Sequence, residues 1–433
     1  MSTKKAALYT LGCKLNFAET STIGKQFLNH GFEIVDFQTR ADIYVINTCT
    51  VTENADRECR QIVRRALRNN PEAFIAVTGC YAQLRPDEIA VIDGVDVVLG
   101  SAEKFNLFSH ISSFEKKELA CVFVSDTSTA DDFGIASSSD GDNRTRAYLK
   151  IQDGCDYQCS YCTIPRARGV SRSLDANEII RQFEELVLSG YKEIVLTGVN
   201  VGDYGKALNT DLYQLLLLLV NIKGDFRIRI SSIEPNLLTD DILALTADNE
   251  KMCRHFHIPL QNGSPKILRL MQRRYNVEFY KKLIEKTVSR IDNVGIGADV
   301  IVGFPGEEEN DFMDTYNFLK ALPVSYLHVF TYSERPDTKA ISMPGSVEHV
   351  ERKKRNNMLR ILSEKKKMAF YNSMLGKDAQ VLFERENHNG LMKGFTSNYI
   401  RVETQYDEAV INQLENITLT EINGENCKGI IKK

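Results

Sequence analysis

The sequence, 433 residues long, holds no long apolar run. Its most apolar stretch, Leu215-Leu216-Leu217-Leu218-Leu219-Val220, is far shorter than the roughly 20 residues a membrane-spanning helix needs. It reads as a buried helix segment, and no membrane partner is expected. The start, Met1-Ser2-Thr3-Lys4-Lys5-Ala6, leads into no apolar signal segment, so a signal peptide is not expected and the cytoplasm is the expected compartment. Without export, ten cysteines point to metal binding rather than disulfides. A strong charge of one sign is missing too: the net charge of −4 gives no global signal for nucleic acid. The 43% hydrophobic and 26% charged content suits a globular chain of two or three domains.

What is there is concentrated in one loop, Cys155-Asp156-Tyr157-Gln158-Cys159-Ser160-Tyr161-Cys162. Its C-x-x-x-C-x-x-C spacing lets three thiolates ligate three corners of a [4Fe–4S] cube and leaves the fourth iron without a protein ligand. A fully ligated cluster only passes electrons, whereas an open iron can bind a small molecule. Zinc is the alternative, but zinc usually takes four ligands, and no further Cys or His lies near in sequence to complete a tetrahedron. A disulfide with one thiol left over is the other alternative.

The first part of the chain alternates short apolar strands (6–11, 43–46, 74–77, 95–99) with helical patterns such as 18–30 and 55–68. That pattern predicts a parallel sheet covered on both faces. Cys13, Cys49 and Cys80 each follow the end of a strand. Ligands of open α/β sheets bind at that edge, so the three are expected to converge as a second three-cysteine cluster site. The alternative is three unrelated buried thiols. Residues 124–143 are polar and aperiodic, and read as a partly mobile linker. Six strand–helix units follow, with strands at 146–151, 193–197, 226–231, 255–259, 297–302 and 326–332. They predict a partial (β/α)6 TIM-like barrel, with its chemistry at the C-terminal strand ends. From about residue 376, short strands predict a small β-barrel. The expected boundaries are 1–123, 124–143, 144–375 and 376–433, in the α/β class.

Charge is uneven along the chain. Between Glu351 and Phe370 there are eight basic and two acidic residues, spaced as an amphipathic helix with a basic face. Such a face is usually just solvated, but it is a candidate for phosphate contact, as is Arg273-Arg274-Tyr275. The tail from Lys377 to Lys433 carries seven basic and nine acidic residues.

The motifs Thr10-Leu11-Gly12-Cys13-Lys14-Leu15-Asn16, Asn47-Thr48-Cys49-Thr50-Val51-Thr52 and Gly79-Cys80-Tyr81-Ala82-Gln83, the Cys155 loop through Thr163-Ile164-Pro165, and Arg168-Gly169 are in place along the chain. With this domain order they resemble the methylthiotransferase family of radical S-adenosylmethionine enzymes, over essentially the whole chain. The tail resembles that family's RNA-binding TRAM domain. The opening and the Cys49-Thr50-Val51-Thr52 continuation look most like the branch acting on N6-threonylcarbamoyladenosine in tRNA. Other branches act on isopentenyl-adenosine in tRNA or on a ribosomal-protein aspartate.

The resemblance implies two [4Fe–4S] clusters, on Cys13, Cys49, Cys80 and on Cys155, Cys159, Cys162, with S-adenosylmethionine on the open iron of the second. It implies cleavage to a 5′-deoxyadenosyl radical that activates C2, and transfer of a methylthio group from the first cluster. It also implies a tRNA anticodon loop as substrate, an electron donor such as a flavodoxin or ferredoxin, and a sulfur donor. Candidate S-adenosylmethionine contacts lie at strand ends: Gly198 and Asn200, Ser232 and Glu234, His257 and Gln261, and Val302. Gly198 alternatively only makes a turn, and His257 is alternatively a satisfied core histidine. Asn16, Arg273 and Arg274 are candidate substrate contacts. A protein that turns nothing over, an iron–sulfur carrier or RNA scaffold, is the competing class, and its clusters would be fully ligated.

Overall fold

The computed structural model describes residues 3–49, 53–127, 133–138 and 145–432, with residues 53–56 as backbone only. Two compact units divide the chain. The first is built from 1–142, 148–174 and 333–338, the second from 143–147, 175–332 and 339–433. The expected boundary at 144 therefore falls elsewhere for the Cys155 loop, which belongs to the first unit. The reason is a set of buried charged contacts described below.

The first unit is a six-stranded sheet of β1 (Lys5–Thr10), β2 (Glu33–Val35), β3 (Ile43–Thr48), β4 (Phe74–Gly79), β5 (Val97–Leu99) and β6 (Cys121–Phe123). Its order is β2-β1-β3-β4-β5-β6, and every pairing is parallel. This is a doubly wound arrangement whose strand order reverses between β1 and β3, the place where such sheets bind ligands. β3 and β4 are buried along their whole length, as parallel strands covered on both faces must be. Two apolar clusters, one around Tyr44, Ile46 and Val77 and the other around Phe27, Val45 and Phe74, fill the two faces.

Part of the expected linker is packed. Ser137 bridges to Leu149, Ala136 is fully buried, and the Lys150 ammonium donates to the Phe133 and Gly134 carbonyls. Residues 128–132 and 139–144 lie outside the described residues, as do Thr50, Val51 and Thr52.

The barrel strands begin with β7 (Arg146–Lys150), after which β8 (Gln152–Asp153) and β9 (Arg172–Ser173) pair across the Cys155 loop. In the second unit come β10 (Glu193–Thr197), β11 (Arg227–Ile230), β12 (His255–His257), β13 (Gly295–Val302) and β14 (Tyr326–Thr331). They form two three-stranded sheets, β11-β10-β7 and β12-β13-β14, joined at a parallel bridge between Ile228 and Met252. Helices separate the strands, giving the expected six strand–helix units. Five further strands, β15 (Asp378–Phe383), β16 (Leu391–Thr396), β17 (Arg401–Gln405), β18 (Leu414–Asn423) and β19 (Asn426–Ile431), close into a barrel.

This small barrel covers the N-terminal ends of the half-barrel strands, opposite the end that carries chemistry. Gly295 opens β13, and a Cβ there would lie 2.2 Å from the Asn398 carbonyl oxygen. Tyr399 stacks on His255 at 4.5 Å and on Phe395 at 4.8 Å. Beneath them Glu193 on β10 sits between Arg227 and Arg229 of β11, all three fully buried. The spare donors of the two arginines reach carbonyls of Gln380, Phe395, Thr396 and Ser397. Burial opposes ionisation of Glu193, yet the two guanidiniums hold its carboxyl well below the usual range.

Candidate functional site

The two cysteine sets both lie in the first unit. Cys13, Cys49 and Cys80 follow the adjacent strands β1, β3 and β4, whose last residues are in register: Thr10 with Asn47, and Thr48 with Gly79. Convergence therefore follows from strand order. Two glycines make room for it. Gly12 has φ +101°, and a Cβ there would lie 2.6 Å from the Cys49 Cβ. Gly79 has φ +98°, and a Cβ there would lie 2.3 Å from the Thr48 carbonyl oxygen. Cys13 sits at the N-terminus of the helix Lys14–Asn29 and Cys80 opens the helix Cys80–Leu84; burial pushes the Cys13 thiol up.

Asn16 fixes this edge. Its amide nitrogen donates to the carbonyls of Leu11 (2.8 Å) and Thr48 (3.1 Å), tying the ends of β1 and β3 together. It is 1% exposed, and its oxygen is engaged by Arg168 at 2.7 Å. The substrate contact expected of Asn16 is thus replaced by a positioning role, because every polar atom of its side chain is already used.

The loop with Cys155, Cys159 and Cys162 is pinned at both ends. Cys155 N–H donates to Gly169 O (3.1 Å), Ser171 N–H donates to the Asp156 carboxylate (2.9 Å), and Tyr157 N–H points at Cys155 Sγ (3.4 Å). All three cysteines are half-buried. A cleft of about 610 Å³ runs between this loop and the Gln83–Leu84 turn that follows Cys80. Among the described residues, the only three metal-ligand atoms within 4.8 Å of one another belong to His257, Asp299 and His328. Neither cysteine set is therefore drawn to the spacing of a single zinc ion. Two three-thiolate sets, each with glycine-cleared or half-open space and N–H donors on sulfur, fit two iron–sulfur clusters. Cys59, Cys253 and Cys427 are buried core thiols.

A buried charge network, not foreseen from the sequence, holds the two sets together. Arg168 is 2% exposed and donates to Glu19, Asp153, Asn16 and, through Nε at 3.3 Å, to Cys80 Sγ. Lys104 meets Glu19 at 2.6 Å and Lys150 meets Asp153 at 2.6 Å. Burial alone would push Glu19 up, but Arg168, Lys104 and Lys150 hold it down at about 2. Glu19 and Arg168 lie 149 positions apart, and no local pattern marks the pair.

In the second unit the expected S-adenosylmethionine residues line successive C-terminal strand ends. Gly198 and Asn200 follow β10, Ser232 and Glu234 follow β11, and His257 ends β12. Gln261 adopts φ +69° just beyond, bridged to Val300. Three expectations change in detail. Val302 is fully buried and its carbonyl accepts from Tyr332 N–H (2.8 Å), because alternation along β13 turns Asp299 and Ile301, not Val302, to the open face. Arg273 is ion-paired with Glu234, and its side chain is 3% exposed, so it offers phosphate little surface. Arg274 is exposed. His257 is a satisfied histidine facing the lumen: its ring nitrogens meet Ser232 Oγ (3.2 Å) and Asp299 Oδ1 (2.9 Å). Burial disfavours the Asp299 carboxylate, but His257 and then His328 hold it well below the usual range.

Residues 149–319 match the Radical SAM superfamily, and residues 5–100 match Uncharacterized protein family UPF0004. The threonylcarbamoyladenosine tRNA methylthiotransferase MtaB of Bacillus subtilis (strain 168) is 40% identical, over 95% of this chain and 93% of its own. That of Thermotoga maritima is 34% identical over 92% and 91%. The tRNA-2-methylthio-N(6)-dimethylallyladenosine synthase of Fusobacterium nucleatum is 33% identical over 96% and 97%. Among solved structures, the radical S-adenosylmethionine methyltransferase TsrM of Kitasatospora setae shares the fold, with a TM-score of 0.56 at 16% identity, covering 78% of this chain and 77% of that one. At 33–40% identity over more than nine tenths of both chains, these relatives place this chain in the radical S-adenosylmethionine tRNA methylthiotransferase family.

Proposed function

We propose that this protein inserts a methylthio group at C2 of N6-threonylcarbamoyladenosine, next to the tRNA anticodon, giving the 2-methylthio derivative. The observation that carries the reading is the pairing of two three-thiolate sites within one compact unit, in a chain 34–40% identical to threonylcarbamoyladenosine methylthiotransferases. When bound, a cluster at the Cys155 loop would supply the electron that cleaves S-adenosylmethionine, and one at Cys13, Cys49 and Cys80 an open iron for the sulfur.

The chain's residues do the rest. Gly12 and Gly79 leave the space, and Asn16 holds the strand ends. Gly198, Asn200, Ser232, Glu234 and Gln261 present backbone and side-chain acceptors for S-adenosylmethionine at one rim. Fixing both sites against one nucleotide replaces a bimolecular encounter by a positioned one. Exposed Arg274, Lys353, Lys354, Arg360 and Lys365 are the candidates for tRNA phosphates. A flavodoxin or ferredoxin as electron donor, a separate sulfur donor and a cytoplasmic location complete the reading. No described helix is long and apolar enough to cross a membrane.

The test is anaerobic reconstitution with iron and sulfide, then reaction with S-adenosylmethionine, a reductant and tRNA carrying threonylcarbamoyladenosine, with mass spectrometry of the digested nucleosides. A methylthio product is expected. Deoxyadenosine without that product would redirect the assignment to isopentenyl-adenosine tRNA, as in the Fusobacterium relative, or to a ribosomal-protein aspartate. Cys155→Ala should abolish deoxyadenosine formation. Cys49→Ala should spare it in part yet stop sulfur insertion, and intact methylthiolation in Cys49→Ala would refute the two-cluster reading.

A further inference from the structure

Arg168 is carried by the Cys155 loop but spends its donors on the other cysteine site. It ends the five-residue helix Ile164–Arg168 that directly follows Cys162 and Thr163. The next residue, Gly169, has φ +76°, and a Cβ there would lie 2.6 Å from the Thr127 carbonyl oxygen, so the turn that aims Arg168 inward has little freedom. Gly169 O also accepts from Cys155 N–H, which ties the base of the guanidinium to the first cysteine of the loop. At its far end Nε–H donates to Cys80 Sγ at 3.3 Å, and Nη2 donates to Asn16, which braces the Cys13 and Cys49 loops.

Basic side chains outnumber carboxylates in the core around Cys80. Three basic side chains, Arg168, Lys104 and Lys150, are each at most 2% exposed and face two carboxylates, Glu19 and Asp153. Arg172 adds a fourth cation at the edge, 4.0 Å from Asp153. Within this cluster Arg168 Nε is aimed at the Cys80 sulfur. A hydrogen bond from a cation to a cluster thiolate draws electron density from the sulfur and raises the reduction potential of the metal centre.

We propose that Arg168 is a positioning residue linking the two sites: carried on the radical loop, it donates a hydrogen bond to the Cys80 sulfur and raises the reduction potential of the N-terminal cluster. This rests on the two-cluster reading above. It goes beyond that reading by giving the Arg168-Gly169 motif a task at the other cluster.

The experiment uses the full chain with Cys155, Cys159 and Cys162 all changed to Ala, reconstituted anaerobically so that only the N-terminal cluster remains. Arg168→Met and Arg168→Lys are added to that background. Iron content, the electron paramagnetic resonance spectrum and the midpoint potential are measured for each. Arg168→Met should load iron but show a lower midpoint potential and an altered spectrum. Arg168→Lys, which keeps a cation, should fall between it and the parent. In the otherwise native chain, Arg168→Met should keep deoxyadenosine formation but lose methylthio product by about tenfold or more, the size expected for a lost charge-assisted hydrogen bond.

Both variants should fold, because Glu19 keeps Lys104 and Asp153 keeps Lys150. If Arg168→Met is nevertheless insoluble, Arg168→Lys decides on the same readouts. An unchanged potential and spectrum in an iron-loaded Arg168 variant would overturn the proposal. Failure of the parent background to bind any iron would instead refute the two-cluster reading, so the two failures are distinguishable.

Discussion

Gly79 shows how tightly single residues define the N-terminal site. Its φ of +98° suits glycine, and a Cβ would meet Thr48 O at 2.3 Å and Asn47 Oδ1 at 2.5 Å, atoms of a strand end with no room to yield. Gly79→Ala should cost about 1–3 kcal/mol of stability and reduce iron loading at the N-terminal site, read by thermal melting and iron assay. Glu19 gives a pH signature. Its folded carboxyl sits at about 2 against an ordinary 4.5, so the unfolded chain takes up the proton first. The stability of its ion pairs is complete above about pH 4.5 and is lost as pH falls toward 2. In apo-protein followed by circular dichroism, Glu19→Gln should flatten the loss in that window. The two three-cysteine sets were legible in the sequence because spacing and strand-end position mark them. Glu19 and Arg168 were not, because their meeting depends on how distant segments pack.

At the scale of the element, the helix His349–Met374 tests what a basic stretch means. Its length and position match the expectation, but the charge is divided. Arg355 is buried against Glu307 at 2.7 Å, Arg352 donates to the Val347 and Tyr332 carbonyls, and Lys366 donates to the Leu322 carbonyl. Burial pushes Lys366 down to about 8. Only the outward residues remain for phosphate. Lys353→Glu combined with Arg360→Glu should weaken tRNA binding and lower the salt slope by about 2, measured by filter binding at several salt concentrations. Arg355→Ala should destabilise the chain instead. The Glu193 bracket makes the same point in a strand. Arg229→Ala strips donors from the Thr396 and Ser397 carbonyls and leaves Glu193 with a single close cation, at a cost of about 3–5 kcal/mol seen in denaturant unfolding.

At the scale of the whole molecule, the tail barrel is part of how its unit is closed. It fills the N-terminal end of the half-barrel through Tyr399 and caps the buried arginines through its backbone carbonyls. An acidic tail is therefore no paradox, since much of its contact with the rest of the unit is backbone and aromatic. A chain ended after residue 375 should lose solubility or melt well below the full chain, rather than simply bind tRNA less tightly. Thermal melting of the truncated and full chains decides this. The division into units also departs from sequence order. The Cys155 loop lies within the strand–helix segment but packs with the N-terminal residues of the first unit, through Arg168 to Glu19, Asn16 and Cys80.

The sequence by itself determined the strand–helix alternation, the two three-cysteine sets and the order of the three folded parts. These are local: an apolar run, a fixed spacing and a strand end are properties of contiguous residues. Tertiary structure decided which charges are buried and which residues remain available. Arg273 is taken by Glu234, Asn16 by strand ends and Arg168 by Cys80, while Val302 is buried on β13. Each of those outcomes depends on groups far apart along the chain being desolvated together. A buried charge must find its partner wherever the fold brings one, and linear spacing carries no record of that meeting.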